Sequence, residues 1–134
     1  NYVRVLTKEG SKITGAKIIY NGGVEVDIFN DVIVSKVGNK NSFETSFKVD
    51  PMNSARVVFS YDLPVGLSIT KDSGKYSLLW QKQPGTSKDE YFFIFNPPFG
   101  SIVEAKSDSL GMVGESLKSN GVFERDLDYF IYLK

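Results

Sequence analysis

Apolar and polar residues alternate with a period of two over most of the chain. Phe43, Thr45, Phe47 and Val49 alternate with Glu44, Ser46, Lys48 and Asp50. This pattern sends one set to a core face and the other to water. Val57, Phe59 and Tyr61 repeat it against Arg56, Ser60 and Asp62, with Val58 as an exception. Val24, Val26 and Ile28 follow it near the beginning. Leu127, Tyr129, Ile131 and Leu133 follow it at the end, with Phe130 and Tyr132 on the opposite side. About nine strands are expected, near Tyr2–Leu6, Lys17–Tyr20, Val24–Phe29, Val32–Val37, Phe43–Val49, Ala55–Leu63, Lys75–Lys82, Glu90–Asn96 and Asp126–Leu133. Weaker strand signals cover Ser101–Lys106 and Gly121–Glu124.

Turn residues punctuate these runs. Asn21-Gly22 suits a type I′ hairpin, in which both central residues need positive φ. Gly38-Asn39-Lys40-Asn41 and Asp50-Pro51-Met52-Asn53-Ser54 are polar turn clusters, the second with proline at a typical turn position. Leu63-Pro64-Val65-Gly66, Lys71-Asp72-Ser73-Gly74 and Gln83-Pro84-Gly85-Thr86 close further intervals. Short strands separated by such turns predict an all-β, immunoglobulin-like antiparallel β-sandwich, with residues 1–134 as a single domain. Helical spacing occurs only within Ser107–Ser119, at Leu110, Val113 and Leu117. Gly111 and Gly114 weaken it, so a loop or one short turn is expected there. Tyr91-Phe92-Phe93-Ile94-Phe95 is apolar on both faces. The favoured reading is a central strand buried beneath a loop around Leu110–Leu117. The other reading is a strand whose outer face a partner covers.

Composition narrows the chemistry. Among 134 residues there is no cysteine and no histidine. A thiol nucleophile, a disulfide, a Ser-His-Asp triad and an ordinary zinc site are therefore absent from this sequence. Lysine plus arginine total 16, as do aspartate plus glutamate, so the chain lacks the basic excess of a nucleic-acid binder. No apolar run reaches the roughly 20 residues of a membrane-spanning helix, and no membrane insertion by this segment is expected. Asn30-Asp31 and Asp50 to Asn53 are too sparse for a calcium loop. No cofactor and no metal are expected. The chain begins at Asn1 and reads as a piece of a longer protein.

Three stretches carry a resemblance. They are Asn1-Tyr2-Val3-Arg4-Val5-Leu6 with Lys8-Glu9-Gly10-Ser11-Lys12-Ile13, then Val57-Val58-Phe59-Ser60-Tyr61-Asp62-Leu63-Pro64, then Tyr76-Ser77-Leu78-Leu79-Trp80-Gln81-Lys82-Gln83-Pro84-Gly85-Thr86. In that order they resemble the C-terminal β-rich region of the bacterial domain-of-unknown-function family 4012. The turn before the second stretch reads Pro51-Met52-Asn53 where the family has Pro-Gly. The family is similar to membrane-anchored envelope proteins, so the resemblance implies an extracytoplasmic location at the bacterial cell surface. It implies no catalytic residue and no substrate.

The candidate contacts are aromatic. Trp80, the only tryptophan, reads first as a core residue, since alternation puts it on one face with Tyr76 and Leu78. Its alternative role is a sugar platform or a partner contact. Tyr91 and Phe99 are the other candidates, Phe99 because it follows Pro97-Pro98 in an expected loop. Asp126 and Asp128 are two apart and share a strand face, but nothing in the sequence around them suggests a cleft, and a solvated edge is expected. The leading expectation is a non-catalytic recognition or spacer domain of an envelope protein, with a protein or an envelope glycan as partner. A carbohydrate-binding module is the alternative, with a hydrolase using carboxylates alone behind it.

Overall fold

The structure is a computed structural model that describes residues 1–64, 70, 73–82, 85, 89–107 and 109–134. The turn positions Val65-Gly66, Lys71-Asp72, Gln83-Pro84 and Thr86 lie outside the described residues. Among the described residues the protein is all-β, with twelve strands in four three-stranded antiparallel sheets rather than the nine strands expected. Its contacts divide it into two compact units, Asn1–Gly66 and Leu67–Lys134.

In the first unit β1 (Tyr2–Lys8), β5 (Lys40–Ser46) and β4 (Ile33–Val37) form one sheet in the order β1-β5-β4. The second sheet is β3-β2-β6, from β2 (Lys12–Tyr20), β3 (Glu25–Asp27) and β6 (Ala55–Asp62). The alternation of β6 holds. Ala55, Val57, Phe59 and Tyr61 lie opposite Tyr20, Ile18, Ala16 and Ile13 of β2. Ala16, Ile18 and Ile28 are the buried centre against which Val57, Phe59 and Phe47 pack. The fully buried Phe43 of β5 meets Tyr61 of β6 with ring centroids 5.8 Å apart.

β2 begins five residues earlier than its pattern indicated. The pairing shifts between Ile13 and Gly15, which leaves Thr14 as the extra residue of a β-bulge. A bulge reverses the inside-outside parity, so Ile13 joins Ala16 and Ile18 on the same face. The expected strand Val24–Phe29 is reduced to Glu25–Asp27, and Val24 and Val26 are exposed instead of buried. Asp27 Oδ1 accepts the Phe29 amide hydrogen at 2.8 Å, a local bond at the start of the short helical turn Phe29–Asp31, while the Ile28 amide still donates to the Ala16 carbonyl of β2 at 3.0 Å. The hairpin at Asn21 forms, but as a three-residue turn with positive φ at Gly22 and Gly23 rather than at Asn21 and Gly22. The Asn21 side chain is occupied elsewhere: its Oδ1 accepts from the Ser54 amide (3.0 Å) and hydroxyl (2.6 Å).

In the second unit the sheets are β7-β12-β9 and β10-β11-β8, from β7 (Gly74–Trp80), β8 (Glu90–Phe95), β9 (Val103–Lys106), β10 (Gly111–Val113), β11 (Ser116–Val122) and β12 (Leu127–Leu133). β12 follows its pattern: Tyr129, Ile131 and Leu133 are buried. The Tyr129 ring stacks on Phe93 of β8 at 4.6 Å and 11°. Tyr76 of β7 lies 5.3 Å from Phe95. An aromatic layer therefore fills the space between these two sheets.

Two expectations are corrected here. Ser107–Ser119 is neither loop nor helix. Most of it is the β10–β11 hairpin, closed by a two-residue turn whose first position, Gly114, has φ 63°. Glycine adopts that conformation without steric cost. β8 is an edge strand, not a central one, because the segment expected to cover it pairs beside it through β11. Phe92 and Ile94 on its outer face are exposed.

Candidate functional site

The second unit carries an open cleft of about 810 Å³ at one end. One wall is the end of β9 and the chain that follows it, with Lys106, Ser107 and Ser109. The other is the β11–β12 connection, with Glu124, Arg125 and Asp126, continued by Asp128. The sequence builds this connection from a polar run between two buried residues. Phe123 enters the core, its amide donating to the Asp89 carbonyl at 2.6 Å, and Leu127 opens β12. The residues between them are driven outward. Asp126 is held there by its Oδ1, which accepts the Lys82 amide hydrogen at 2.7 Å.

Tyr91 joins the cleft to a buried pair of hydroxyls behind it, those of Ser119 and Tyr129. Tyr91 lines the cleft, and its hydroxyl lies 3.1 Å from Ser119 Oγ. The Tyr129 hydroxyl donates to the same Ser119 Oγ at 3.2 Å. Burial pushes the Tyr129 phenol above its ordinary pKa. These bonds satisfy hydroxyls that the aromatic layer would otherwise leave unpaired, which is the condition for burying them.

The structure places the three sequence-predicted contacts differently. Trp80 is 37% exposed, neither fully in the core nor a free platform. Its ring packs on Phe123 at 5.4 Å and meets Tyr91 at 6.1 Å and 71°. Tyr91 is buried. Phe99 is 88% exposed in the turn after β8, where Gly100 has φ 79°. It does not line the cleft. Trp80 and Tyr91 are thus brought together, but the crossed rings and the burial of Tyr91 do not make a coplanar surface. The expectation that no cleft surrounds Asp126 and Asp128 is overturned. Both line it, because β9 and the β11–β12 connection converge from separate parts of the sequence.

Sequence reasoning missed Lys106, Ser107, Ser109, Glu124 and Arg125. The signal that could have found them is the charged run Glu124-Arg125-Asp126 interrupting two apolar stretches. Among the described residues, no three carboxylates are grouped to hold a metal ion. The cleft offers two cations, three carboxylates and three hydroxyls, an inventory that both donates and accepts hydrogen bonds. Comparison with protein-family models, with curated proteins and with solved structures finds no match.

Proposed function

We propose that this chain is a non-catalytic recognition module of a bacterial envelope protein, acting outside the cytoplasm, and that it holds a glycan in the cleft of its second unit. The observation that carries the reading is the mixed lining of that cleft. Sugar hydroxyls donate and accept at once, and Asp128, Arg125 and Ser109 supply partners of both kinds. The aromatic platform is replaced by a polar cleft with Tyr91 at its floor. Phe99 is a separate contact, suited to a protein neighbour. The envelope location rests on the resemblance of the three segments described above. An immunoglobulin-like sandwich is part of the proposal. The ring contacts Phe43–Tyr61 and Phe93–Tyr129, each linking two sheets, support it.

The test is retention of bacterial envelope material, untreated and protease-treated, on the immobilised chain. Retention that survives protease is expected. Arg125→Ala removes a charged donor worth about 1.5–3 kcal/mol, and should weaken it roughly 10- to 100-fold. Retention lost with protease would replace the glycan by a protein partner, and no retention would leave a spacer. Hydrolysis is the competing reading, since Glu124, Asp126 and Asp128 share the cleft. A glycosidase acid is usually a carboxyl enclosed by apolar walls, whereas these three are exposed. Release of reducing sugar that Asp126→Asn and Asp128→Asn abolish would establish hydrolysis instead.

A further inference from the structure

With Tyr129, Ile131 and Leu133 buried, β12 turns Asp128, Phe130 and Tyr132 to the outer side of its sheet. Lysines flank that row from both neighbouring strands. Lys106 of β9 stands opposite Phe130, and Lys75 of β7 stands opposite Tyr132. The Lys75 ammonium lies 5.5 Å from the Phe130 ring centroid and 5.8 Å from that of Tyr132. The Lys106 ammonium lies 5.4 Å from the Tyr132 centroid. Phe130 and Tyr132 are half-buried, so they hold the lysines in place rather than offer a free ring to stack on. A ring attracts an ammonium through its quadrupole, but it supplies no counter-charge. Among the described residues neither lysine forms an ion pair. Glu104, opposite Tyr132, is held by Lys134 instead, and Lys106 acts on it only through its field. Asp128 stands at the far end of the row, opposite Leu79. The cleft opens onto this face, because Lys106 and Asp128 also line it. Tyr132 is four residues along β12 from Asp128, about 13 Å.

We infer that the glycan held in the cleft carries a phosphate group, and that Lys75, Lys106 and Tyr132 take it. The inference rests on the glycan reading above. A phosphate monoester brings a charge of about −1.5 to −2 near neutral pH and three acceptor oxygens. Two ammoniums and one hydroxyl match it in charge and in number of donors. A carboxylate matches less well. It brings one charge and a planar edge suited to a guanidinium fork, and no arginine stands in the rows of Phe130 and Tyr132. A neutral sugar would leave both ammoniums without a counter-charge. A nucleic acid needs a basic stripe, whereas Glu104 and Asp128 share this face with the lysines.

Glucose 6-phosphate is the probe, with glucuronate beside it, each titrated into the whole chain while backbone amides are followed by NMR. The phosphate should shift Lys75, Lys106 and Tyr132 and bind at least about fivefold tighter than glucuronate. Lys75→Gln removes an ammonium outside the cleft. It should weaken glucose 6-phosphate about fivefold, with unchanged resonances elsewhere as the check on folding, and Lys75→Arg should retain most of the affinity. Glucuronate binding as tightly as the phosphate would overturn the inference, as would an affinity that Lys75→Gln leaves unchanged. Envelope material is the second arm. Phosphatase treatment should reduce its retention on the wild-type chain, and reduce it less on Lys75→Gln. Retention that depends on Arg125 but not on phosphatase would overturn this inference and leave the glycan reading standing. A chain that retains nothing before treatment would remove both.

Discussion

Two residues of the first unit show how local chemistry sets stability. Met52 has φ 65° and is fully exposed. The Asn53 amide donates to the Asp50 carbonyl at 3.1 Å, with Pro51 and Met52 in the next positions of the turn. A type II turn asks for positive φ at the residue after such a proline, and glycine is its usual occupant. An L residue there costs roughly 1–2 kcal/mol, partly offset because glycine loses more backbone freedom on folding. The methionine side chain points into water, so its removal leaves no cavity. Met52→Gly should therefore stabilise the chain by about 0.5–1 kcal/mol in urea denaturation. Glu44 makes the complementary case. It accepts from the Ser42 hydroxyl at 2.6 Å, from the Tyr2 hydroxyl, and from Arg4 and Ser35 at 3.2 Å each. These donors hold its carboxyl at a pKa of about 2, against an ordinary 4.5. The folded pKa is depressed, so the unfolded chain binds the proton first as the pH falls. The contribution of Glu44 is complete above pH 4.5 and is lost between there and about 2. In Glu44→Gln the fall of the melting temperature across that window should be shallower than in the wild type. An identical slope would show that the cluster contributes nothing. Lys36 lowers the Glu9 carboxyl in the same way, so some slope remains in the variant.

At the scale of elements, Thr14 is the position to remove. Its place in the bulge lets Ile13 and Ala16 face the same core although they are three residues apart. Deleting it leaves Ile13, Gly15 and Ala16 consecutive opposite Tyr61, Ser60 and Phe59, so alternation becomes strict with Ile13, Ala16 and Ile18 still on one face. The deletion should therefore keep the core: urea denaturation should show a cost well below the about 2–5 kcal/mol of losing a buried aliphatic side chain, and hydrogen exchange should keep its protection along β2 and β6. The bulge also explains what could be read in the sequence. Strands with unbroken alternation, such as β6 and β12, were legible with their buried faces. β2 was seen only beyond the bulge, because Thr14 breaks the period on which the reading depends. β10 and β11 were missed because Gly111 and Gly114 masked a hairpin as a loop, and a leucine at each end mimicked helical spacing. β8 was legible as a strand but not as an edge, since alternation says which face is apolar and nothing about what pairs beside it. The cleft was illegible for a similar reason. Asp126 and Asp128 were visible as a pair, but Lys106 and Ser109 reach them only through the pairing of β9 with β12.

At the scale of the whole molecule the question is how many cooperative units fold. Period and length lead to one domain from residue 1 to 134. The strand pairings and ring contacts described above close within Asn1–Gly66 or within Leu67–Lys134. A unit of about 65 residues is close to the lower limit at which a core sustains itself, so a modest loss in either should register. The sole tryptophan, Trp80, lies in the second unit and serves as its reporter. Ile18 is 3% exposed in the core of the first. Ile18→Ala should cost about 2–5 kcal/mol there. If the units unfold separately, the Trp80 fluorescence midpoint in urea should stay where it is in the wild type, while circular dichroism acquires an earlier transition. If the chain is one cooperative domain, the substitution must move both signals together by the same amount. We expect the separation, because the aromatic layer of Tyr76, Phe93, Phe95 and Tyr129 and the hydroxyl relay at Ser119 are built from residues of the second unit.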